Sequence, residues 1–231
     1  MSAERFATLT TAHLTDACLR AGVPVRCAPH GLQAAAPGMR LFGRVLPTQH
    51  VGSVDVFLEA INAADPGDVL VVDNGGQLDH ACVGDLIALE AQAAGLGGIV
   101  IWGLHRDSVD LAEIGIPVFS LGHTSTGPLS VGARPVGALG SARVGEFTIT
   151  PTDAAAADDD GVIFVPLDRL DELLSIAEGI RDTERAQADR IRAGTSLRAQ
   201  VQFDRFLEAR AAHPELTFRE HLRTVGGEIE V

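Results

Sequence analysis

The 231-residue sequence is acidic, with 31 Asp and Glu against 18 basic residues and a formal charge of −13, which argues against a nucleic-acid partner because phosphate binding needs a basic face. Its hydrophobic content of 46% is ample for the core of one large domain, or of one domain with an appendage. No apolar run reaches the roughly 18 residues of a membrane span, and the first residues lack a signal-peptide pattern. The three cysteines match no zinc or disulfide pattern. We therefore expect a cytoplasmic protein with no membrane partner.

Hydrophobic periodicity and turn residues divide the chain into alternating helices and strands. The predicted helices are 10–21, 53–63, 84–94, 107–114 and 167–193, and the predicted strands are 41–47, 68–73, 99–102, 117–121, 134–138, 146–150 and 162–165. Thr10 or Thr11 is expected to cap the first helix and Ser53 the second. Strands that alternate with helices indicate an α/β layered fold.

The sequence becomes charged and amphipathic after Gly194. We predict two helices in this segment, separated by Pro214, with Thr217 and Glu220 forming a capping box for the second. Such amphipathic helices pack on the core or on a neighbouring subunit. The chain is therefore divided into an α/β domain, residues 1–194, and a C-terminal helical extension, residues 195–231.

Asp85 and the pair Arg106–Asp107 are the most informative charged residues. Twenty residues separate Asp85 from Arg106, and they read as a helix, a Gly-rich turn and a short strand. The helix start offers unpaired backbone N–H groups, which suit an anion, and the strand end adds a guanidinium and a carboxylate. Together these groups are suited to an α-keto acid and a divalent metal. The alternative is structural, since Asp is an ordinary helix cap and charged residues are mostly surface residues.

The spacing Asp-x20-Arg-Asp, with Gly before the first Asp and GIVIWGLHRD ending at the second, resembles the signature of one enzyme family. These are the class II pyruvate aldolases that act on 4-hydroxy-4-methyl-2-oxoglutarate or 4-carboxy-4-hydroxy-2-oxoadipate. Their superfamily includes the regulator of ribonuclease activity A. Four further segments carry the resemblance over most of residues 8–180: LTTAHLTDACLRAGV at 9–23, PGDVLVVDNGG at 66–76, AEIGIPVFSLGHTSTGP at 112–128 and ADDDGVIFVP at 157–166.

The resemblance implies a swivelling β/β/α fold, assembled as a homotrimer or a dimer of trimers. It also implies cleavage of a 4-hydroxy-2-oxo acid to pyruvate and a second keto acid, through an enolate whose charge a divalent metal stabilises. Oxaloacetate decarboxylation passes through the same enolate and is a natural side reaction. Mg²⁺ or Mn²⁺ is the expected cofactor, because such a cation keeps several waters and takes only one or two protein carboxylates.

The resemblance assigns the metal to acidic residues. Asp107 would bind it directly or through water, and Asp85 would hold metal-bound waters, one of which acts in proton transfer. The family also borrows an acidic residue from the adjacent subunit, on the long helix after the DGVIFVP strand. Glu184 is our choice for that residue, with Asp182 and Glu178 as alternatives.

The same resemblance assigns substrate binding to the helix start and to the arginine. Arg106 would lie by the keto oxygen and carboxylate and stabilise the enolate, a double task that suits its planar fork. The backbone N–H groups of Leu86 and Ile87 would receive the substrate carboxylate. Gly84 would allow the chain to approach closely.

Two alternative functions remain at this point. The regulator of ribonuclease activity A acts by protein–protein binding, and regulator-type sequences lack the acid after the arginine, so Asp107 favours an enzyme. A related metal-dependent lyase acting on a different keto acid is the other alternative. His105 and the C-terminal extension are the features that favour it. His105 has two interpretations: it approaches the substrate and alters specificity, or it is a neutral surface change.

The remaining candidate groups have structural interpretations. The run Asp158–Asp159–Asp160 is more typical of a charged turn before a strand than of a metal site. The isolated histidines His50, His80 and His123 are more typical of hydrogen-bonded structure than of ligands.

Overall fold

A curled seven-stranded sheet with helices packed against it organises the chain, which the computed structural model describes over residues 2–225, with side chains from residue 4 onward. The strands β1 to β11 are Gln33–Ala34, Leu41–Gln49, Val69–Asp73, Ala81–Val83, Gly98–Trp102, Leu104–His105, Val118–Ser120, Ala142–Val144, Phe147–Ile149, Asp153–Asp158 and Gly161–Pro166. The helices α1 to α9 are Ser2–Phe6, Thr11–Arg20, Asp55–Asn62, Asp85–Ala93, Ser108–Ile114, Leu170–Arg192, Leu197–Gln200, Phe203–Ala212 and Phe218–Val225.

Four parallel strands form the centre of the sheet and bring their carboxyl ends to one edge. The strand order is β1-β7-β5-β3-β2-β10-β11, in which β2, β3, β5 and β7 are parallel to one another. Gln49 lies opposite Asp73, and Asp73 lies opposite Trp102, so the loops after β2, β3 and β5 begin side by side. The small sheet formed by β4 and β6 is parallel as well. Ligands of open α/β sheets bind at the carboxyl edge, which makes this edge the expected place for a functional site.

Three apolar clusters fill the spaces between the layers. One lies between the parallel strands and the helices α3 and α4 and includes Phe57. A second lies between β10–β11 and the helices α2 and α6 and includes Leu173. A third lies inside the curled sheet, beneath the β8–β9 hairpin, and includes Phe164. A bridge between Cys27 and Ile163 draws the segment before β1 towards β11. The predicted α/β layered fold is therefore confirmed.

Some local predictions are wrong. Residues 134–138 form turns instead of a strand, and Val136 is fully exposed there, because a proline and a glycine flank it. The strand Asp153–Asp158 escapes the sequence pattern because its centre is four alanines, which have low strand propensity. Its position between β2 and β11 buries all six residues. Ser53 is not the N-cap of α3; Val54 holds that position without a side-chain bond.

The start of α2 is capped twice. Thr10 is its N-cap, as predicted, and the Thr10 hydroxyl accepts a hydrogen bond from the His13 backbone N–H. Asp158 is buried at the end of β10 and accepts hydrogen bonds from the Thr11 backbone N–H at 2.8 Å and from the Thr11 hydroxyl at 2.7 Å. Asp158 is thus a structural residue, and the predicted charged turn consists of Asp159 and Asp160.

The segment after α6 forms three helices, where two were predicted, because the single turn α7 precedes α8. Phe203, Phe206 and Phe218 pack together with ring centroids 5.0 to 5.7 Å apart. The predicted capping box is present, since the Thr217 backbone N–H donates to Glu220 at 2.9 Å. Residues 226–231 of the predicted extension lie outside the described residues, and the division at residue 194 stays a prediction. Within residues 2–225, no helix is long and apolar enough to cross a membrane.

Candidate active site

Parallel pairing of two short strands brings Asp85 and Arg106–Asp107 together. Val83 ends β4 and lies opposite His105, which ends β6. The Arg106 backbone N–H donates to the Val83 carbonyl at 3.0 Å. The first residue of α4, Asp85, therefore lies beside the Arg106–Asp107 pair, as the spacing of the motif predicts.

Asp107 has an unusual backbone conformation. Its φ of 59° and ψ of 43° are left-handed, and among the described residues only Gln202 is another non-glycine residue with positive φ. Asp107 precedes α5, yet its side chain makes no capping hydrogen bond. Its Oδ2 instead lies 3.3 Å from the Arg106 Nε and accepts a long, 3.4 Å hydrogen bond from the Asp85 backbone N–H. A left-handed residue costs about 1–2 kcal/mol, and strain of this kind is common at functional sites.

Two glycines leave room for these side chains. A Cβ at Gly84 would overlap the Asp107 Oδ2 and come within 3.2 Å of the Arg106 Nε. A Cβ at Gly127 would lie 2.8 Å from the Arg106 Nη1. The Arg106 side chain thus passes between two positions without side chains, and it is 49% exposed. Its Nη1 and Nη2 atoms form no hydrogen bond with residues 2–225, so both are available to an anion.

The start of α4 is partly filled by its own first residue. The Asp85 Oδ1 accepts a hydrogen bond from the Leu86 backbone N–H at 2.8 Å. A substrate carboxylate at this position would have to displace the Asp85 side chain or bind mainly to the Ile87 N–H. We name the space above the helix start the Arg106 cleft; it measures about 200 Å³ and is lined by residues 84–87, Arg106, Gly52 and Pro128 among others.

The carboxylates at the Arg106 cleft fit a hard cation that is bound largely by water. No group of three or more His, Cys, Asp and Glu residues in the described part of the chain could form a closed cage around a metal. Mg²⁺ and Mn²⁺ need only one or two protein carboxylates beside water. Asp107 provides one, with an Oδ1 that accepts no hydrogen bond from the described residues, and Asp85 provides a second. Because Gly84 has no Cβ, the Asp107 carboxylate has room in this space.

Glu184 lies away from the cleft of its own chain. It is on α6, where its Oε2 lies 3.1 Å from the His13 Nε2. Glu178 is bound by the Arg5 guanidinium at 2.8 Å, and this hydrogen bond lowers the pKa of Glu178. Glu184 is the less firmly held of the two, and its role at the cleft of a neighbouring subunit stays a prediction.

His105 lies beneath the site. It is buried, its Nδ1 is 2.7 Å from the Ser120 hydroxyl, and its Nε2 is 3.1 Å from the Ser108 hydroxyl. Burial, followed by the nearby His123, lowers the pKa of His105. Both ring nitrogens are thus engaged with serines, one directly after the Arg106–Asp107 pair and one on β7. His105 supports the backbone of the pair and is neither a surface residue nor in contact with the cleft.

A second cavity, missed from the sequence, adjoins the cleft. We name it the His50 pocket; it measures about 450 Å³, and its lining includes His50, Asn74, His80 and the loop 129–132. The His50 Nδ1 lies 2.8 Å from the Asn74 Oδ1. His50 stacks on Phe57 with ring centroids 5.0 Å apart, and its burial lowers its pKa. The sequence feature that could have indicated this pocket is the position of two residues: His50 and Asn74 directly follow the carboxyl ends of the paired strands β2 and β3.

Comparison with known proteins gives the family and the names of several relatives. The family model described as "RraA-like: Aldolase/RraA" matches residues 11–164. Protein DlpA of Legionella pneumophila is 30% identical over 175 residues, which cover 72% of this chain and 28% of DlpA. A Pseudomonas aeruginosa protein named "Putative 4-hydroxy-4-methyl-2-oxoglutarate aldolase" is 36% identical over 109 residues, which cover 47% of this chain and 65% of that protein. The chain therefore spans less than two thirds of the length of either relative.

Solved structures confirm the fold. An uncharacterized protein from Pseudomonas syringae pv. tomato superposes with a TM-score of 0.72 at 27% identity, covering 84% of this chain and 93% of that one. RraAS2 of Streptomyces coelicolor, described as an unusual member of the RNase ES inhibitor RraA family, superposes with a TM-score of 0.70 at 26% identity. That match covers 81% of this chain and 96% of RraAS2.

Proposed function

Because the chain belongs to the RraA-like family of aldolases and RraA proteins, we propose that it is a divalent-metal-dependent pyruvate aldolase. It would cleave a 4-hydroxy-2-oxo acid to pyruvate and a second carbonyl compound. The observation that carries the proposal is the side chain of Asp107. This residue adopts a strained conformation, makes no side-chain capping hydrogen bond at the start of α5, and faces Arg106 and the start of α4.

The basic residues of the chain support this class of aldolase. All 18 are arginines, and the 231 residues contain no lysine. An aldolase that forms a Schiff base needs a lysine amine as its nucleophile. These residues therefore cannot form a Schiff base through lysine, and the developing enolate must be stabilised by fixed positive charge.

Arg106 is the fixed charge that the chain itself supplies. In the retro-aldol reaction the C3–C4 bond breaks and its electron pair moves onto the pyruvate half, which becomes negative at the keto oxygen. The Nη1 and Nη2 atoms of Arg106 are the donors available to that oxygen and to the carboxylate beside it. When bound, Mg²⁺ or Mn²⁺ would be held by Asp107 and by waters at Asp85, and would add positive charge at the keto oxygen.

Asp85 is the group placed to handle the proton. The C4 hydroxyl must lose its proton to become the carbonyl of the second product, and C3 must gain one to complete pyruvate. The Asp85 Oδ1 is bonded to the Leu86 N–H, whereas its Oδ2 has no hydrogen bond to residues 2–225. The free oxygen can accept the proton or hold the water that does so.

We further propose that the enzyme is a homotrimer or a dimer of trimers. The large apolar side chains of Leu86, Leu89 and Leu58 are exposed on the outer faces of α3 and α4, beside the Arg106 cleft. Exposed apolar surface of this kind is commonly covered by another subunit. In such an assembly the neighbouring subunit would bring Glu184 to the cleft. Light scattering after gel filtration tests this stoichiometry.

Two assays test the function. In the first, the protein with Mg²⁺ or Mn²⁺ is given 4-hydroxy-4-methyl-2-oxoglutarate, 4-carboxy-4-hydroxy-2-oxoadipate or oxaloacetate, and pyruvate release is coupled to a reporter. In the second, NMR follows the exchange of pyruvate methyl protons with solvent deuterium in the presence of Mg²⁺. Exchange reports enolate formation whatever the rest of the substrate is. We expect metal-dependent exchange that a chelator abolishes; no exchange would reject the aldolase and favour a protein-binding role like that of the RNase inhibitors.

A further inference from the structure

The His50 pocket adjoins the Arg106 cleft. Gly52 lines both cavities, and the adjacent residues Pro128 and Leu129 line the cleft and the pocket respectively. A substrate whose pyruvate half lies at Arg106 therefore extends towards His50. The chemistry of the pocket then selects the group that C4 of the substrate carries.

The buried pair in this pocket lacks part of its hydrogen bonding. His50 is 6% exposed and Asn74 is 4% exposed, and neither the His50 Nε2 nor the Asn74 Nδ2 has a hydrogen-bond partner. In the observed orientation the His50 Nδ1–H donates to the Asn74 Oδ1, which leaves Nε2 as an acceptor and Nδ2 as a donor. If the amide is rotated by 180°, the roles of the two free atoms are exchanged. Either way, the pair offers one donor and one acceptor.

A hydroxyl group satisfies both atoms, because it donates one hydrogen bond and accepts others. A carboxylate only accepts, so one of the two buried atoms would stay unpaired, which is costly. The pocket thus distinguishes two kinds of substrate tail by their hydrogen-bonding capacity.

Charge leads to the same distinction. The lining of the pocket includes the carboxylate of Asp79 and no arginine. Arg134 lies farther along the same loop, and it is engaged with Glu59 at 2.5 Å and with Asp55 at 3.8 Å. The Asp79 carboxylate is contacted by the His80 Nδ1 at 2.8 Å, and a carboxylate in the pocket would meet the like charge of Asp79 without an arginine to offset it.

We infer that the His50 pocket receives the distal half of the substrate, and that this half is an uncharged chain bearing hydroxyl groups. This inference rests on the proposed aldolase function and narrows its substrate class. The bond changes are those of the proposed reaction: C3–C4 breaks, the C4 hydroxyl loses its proton and becomes an aldehyde, and C3 takes up a proton to give pyruvate. The substrate is therefore a 2-oxo-3-deoxy acid with a polyhydroxyl tail.

A substrate comparison tests the inference. The wild-type protein with Mg²⁺ is given 2-oxo-3-deoxygluconate, which has a hydroxylated tail, and 4-hydroxy-4-methyl-2-oxoglutarate, which has a carboxylate tail. We expect kcat/KM for the first to exceed that for the second by at least about tenfold, as one unpaired buried group implies. Equal values, or a preference for the carboxylate tail, overturn the inference. Pyruvate exchange in deuterium oxide is measured in parallel: exchange without cleavage of the hydroxylated substrate rejects this tail alone, whereas no exchange rejects the aldolase as well.

Two variants test the pocket directly. Asn74→Leu removes the amide donor and acceptor at a similar side-chain volume without adding a charge, and it is expected to lower the ratio of the two kcat/KM values about tenfold. Leu129→Arg places a cation at a position that is 89% exposed, where folding is not at risk, and it should increase cleavage of the carboxylate-tailed substrate. The matched controls are Asn62→Leu, at the exposed end of α3, and Val136→Arg, on the same loop but outside the pocket lining. If each variant changes the ratio no more than its control does, the pocket does not bind the tail.

Discussion

The Arg106 cleft and the His50 pocket share one edge of the sheet but differ in their chemistry. The cleft has a half-exposed arginine with free nitrogens and the Asp85 carboxylate, and the strained residue Asp107 lies beside that arginine. The pocket has a buried neutral pair, and its lining includes no arginine. The first is suited to charge that develops during a reaction, and the second is suited to recognition of an uncharged group. On the proposed function, adjacent cavities of the same carboxyl edge would separate catalysis from specificity.

The two regions also differ in what holds them. Asp107 and Arg106 are kept in place by backbone geometry and by glycines that leave room for them. His50 and Asn74 are kept by each other and by stacking on Phe57. Variants of the cleft should therefore affect every substrate, whereas variants of the pocket should affect the choice among substrates.

The largest expected effect is that of Asp107→Ala. We expect metal-dependent pyruvate exchange and cleavage to fall together by about 1,000-fold, because several kcal/mol of charge stabilisation are lost with the metal. Asp110→Ala, at an exposed carboxylate on α5, is the matched control and should keep full activity. Retained activity in Asp107→Ala would reject the metal assignment. A loss of cleavage without a loss of exchange would place Asp107 with the pocket instead of the cleft.

The second largest effect on activity is expected for Arg106→Lys. An ammonium is a point charge and cannot contact the keto oxygen and the carboxylate as a planar fork does, so we expect kcat to fall about 100-fold for all substrates. Arg143→Lys, at an exposed arginine on β8, controls for the introduction of lysine into a chain that has none. The measurement is kcat and KM with oxaloacetate and with a 4-hydroxy-2-oxo acid. An effect confined to one of these substrates would contradict a role on the shared pyruvate half.

The difference between the two cavities also explains which of them was predictable from sequence. Asp85, Arg106 and Asp107 lie on consecutive elements, so a fixed spacing carries their relation. His50 and Asn74 meet only because β2 and β3 pair in one register, with Gln49 opposite Asp73. A single sequence does not contain that register. The absence of lysine, by contrast, was visible in the sequence, and it excludes a Schiff-base mechanism that uses these residues.

The elements of the fold were also predictable where local sequence determines them and unpredictable where distant pairing does. The parallel strands β3 and β5 and the helices α2 and α6 were predicted from local periodicity and caps, close to their observed bounds. The strand β10 was not, because its four alanines become a strand only by pairing with β2 and β11. The structural role of His105 was equally hidden, since its serine partners lie on β7 and α5. The predicted contribution of Glu184 depends on a second subunit, and no pattern within one chain determines it.

Gly84→Ala separates geometry from charge at the cleft. The added Cβ would overlap the Asp107 carboxylate, so we expect the free energy of unfolding to fall by about 1–3 kcal/mol, as for other overpacked positions. Pyruvate exchange should fall as well, because Asp107 must move. Gly179→Ala is the matched control: nothing lies within 4 Å of its added Cβ, and alanine in a helix interior should stabilise the protein by about 1 kcal/mol. Urea unfolding measures both, and an unchanged stability of Gly84→Ala would show that the close approach is not required.

The smallest effect concerns the charge state of the pocket. Burial lowers the pKa of His50 below the ordinary imidazole value of about 6.5, so the folded protein binds this proton less readily than the unfolded chain does. As pH falls below about 6.5, the unfolded state takes up the proton first, and the free energy of unfolding decreases. Paired carboxylates lose their contribution only at lower pH, because their ordinary pKa is about 4. Urea unfolding at several pH values between about 7 and 5 should therefore show a free energy of unfolding that decreases as the pH falls. The slope of this decrease should be smaller in His50→Asn.

His213→Asn, at an exposed histidine, is the matched control for that slope. If His50→Asn has no more effect than His213→Asn, then His50 protonates as readily in the folded protein as in the unfolded chain. The pocket would then carry a positive charge at mildly acidic pH and would accept a carboxylate there. In that case the separation between a charged cleft and a neutral pocket would hold only above that pH. Because a neutral His50 is what makes a hydroxylated tail the better match, its proton uptake also sets the pH range in which the substrate preference should be strongest.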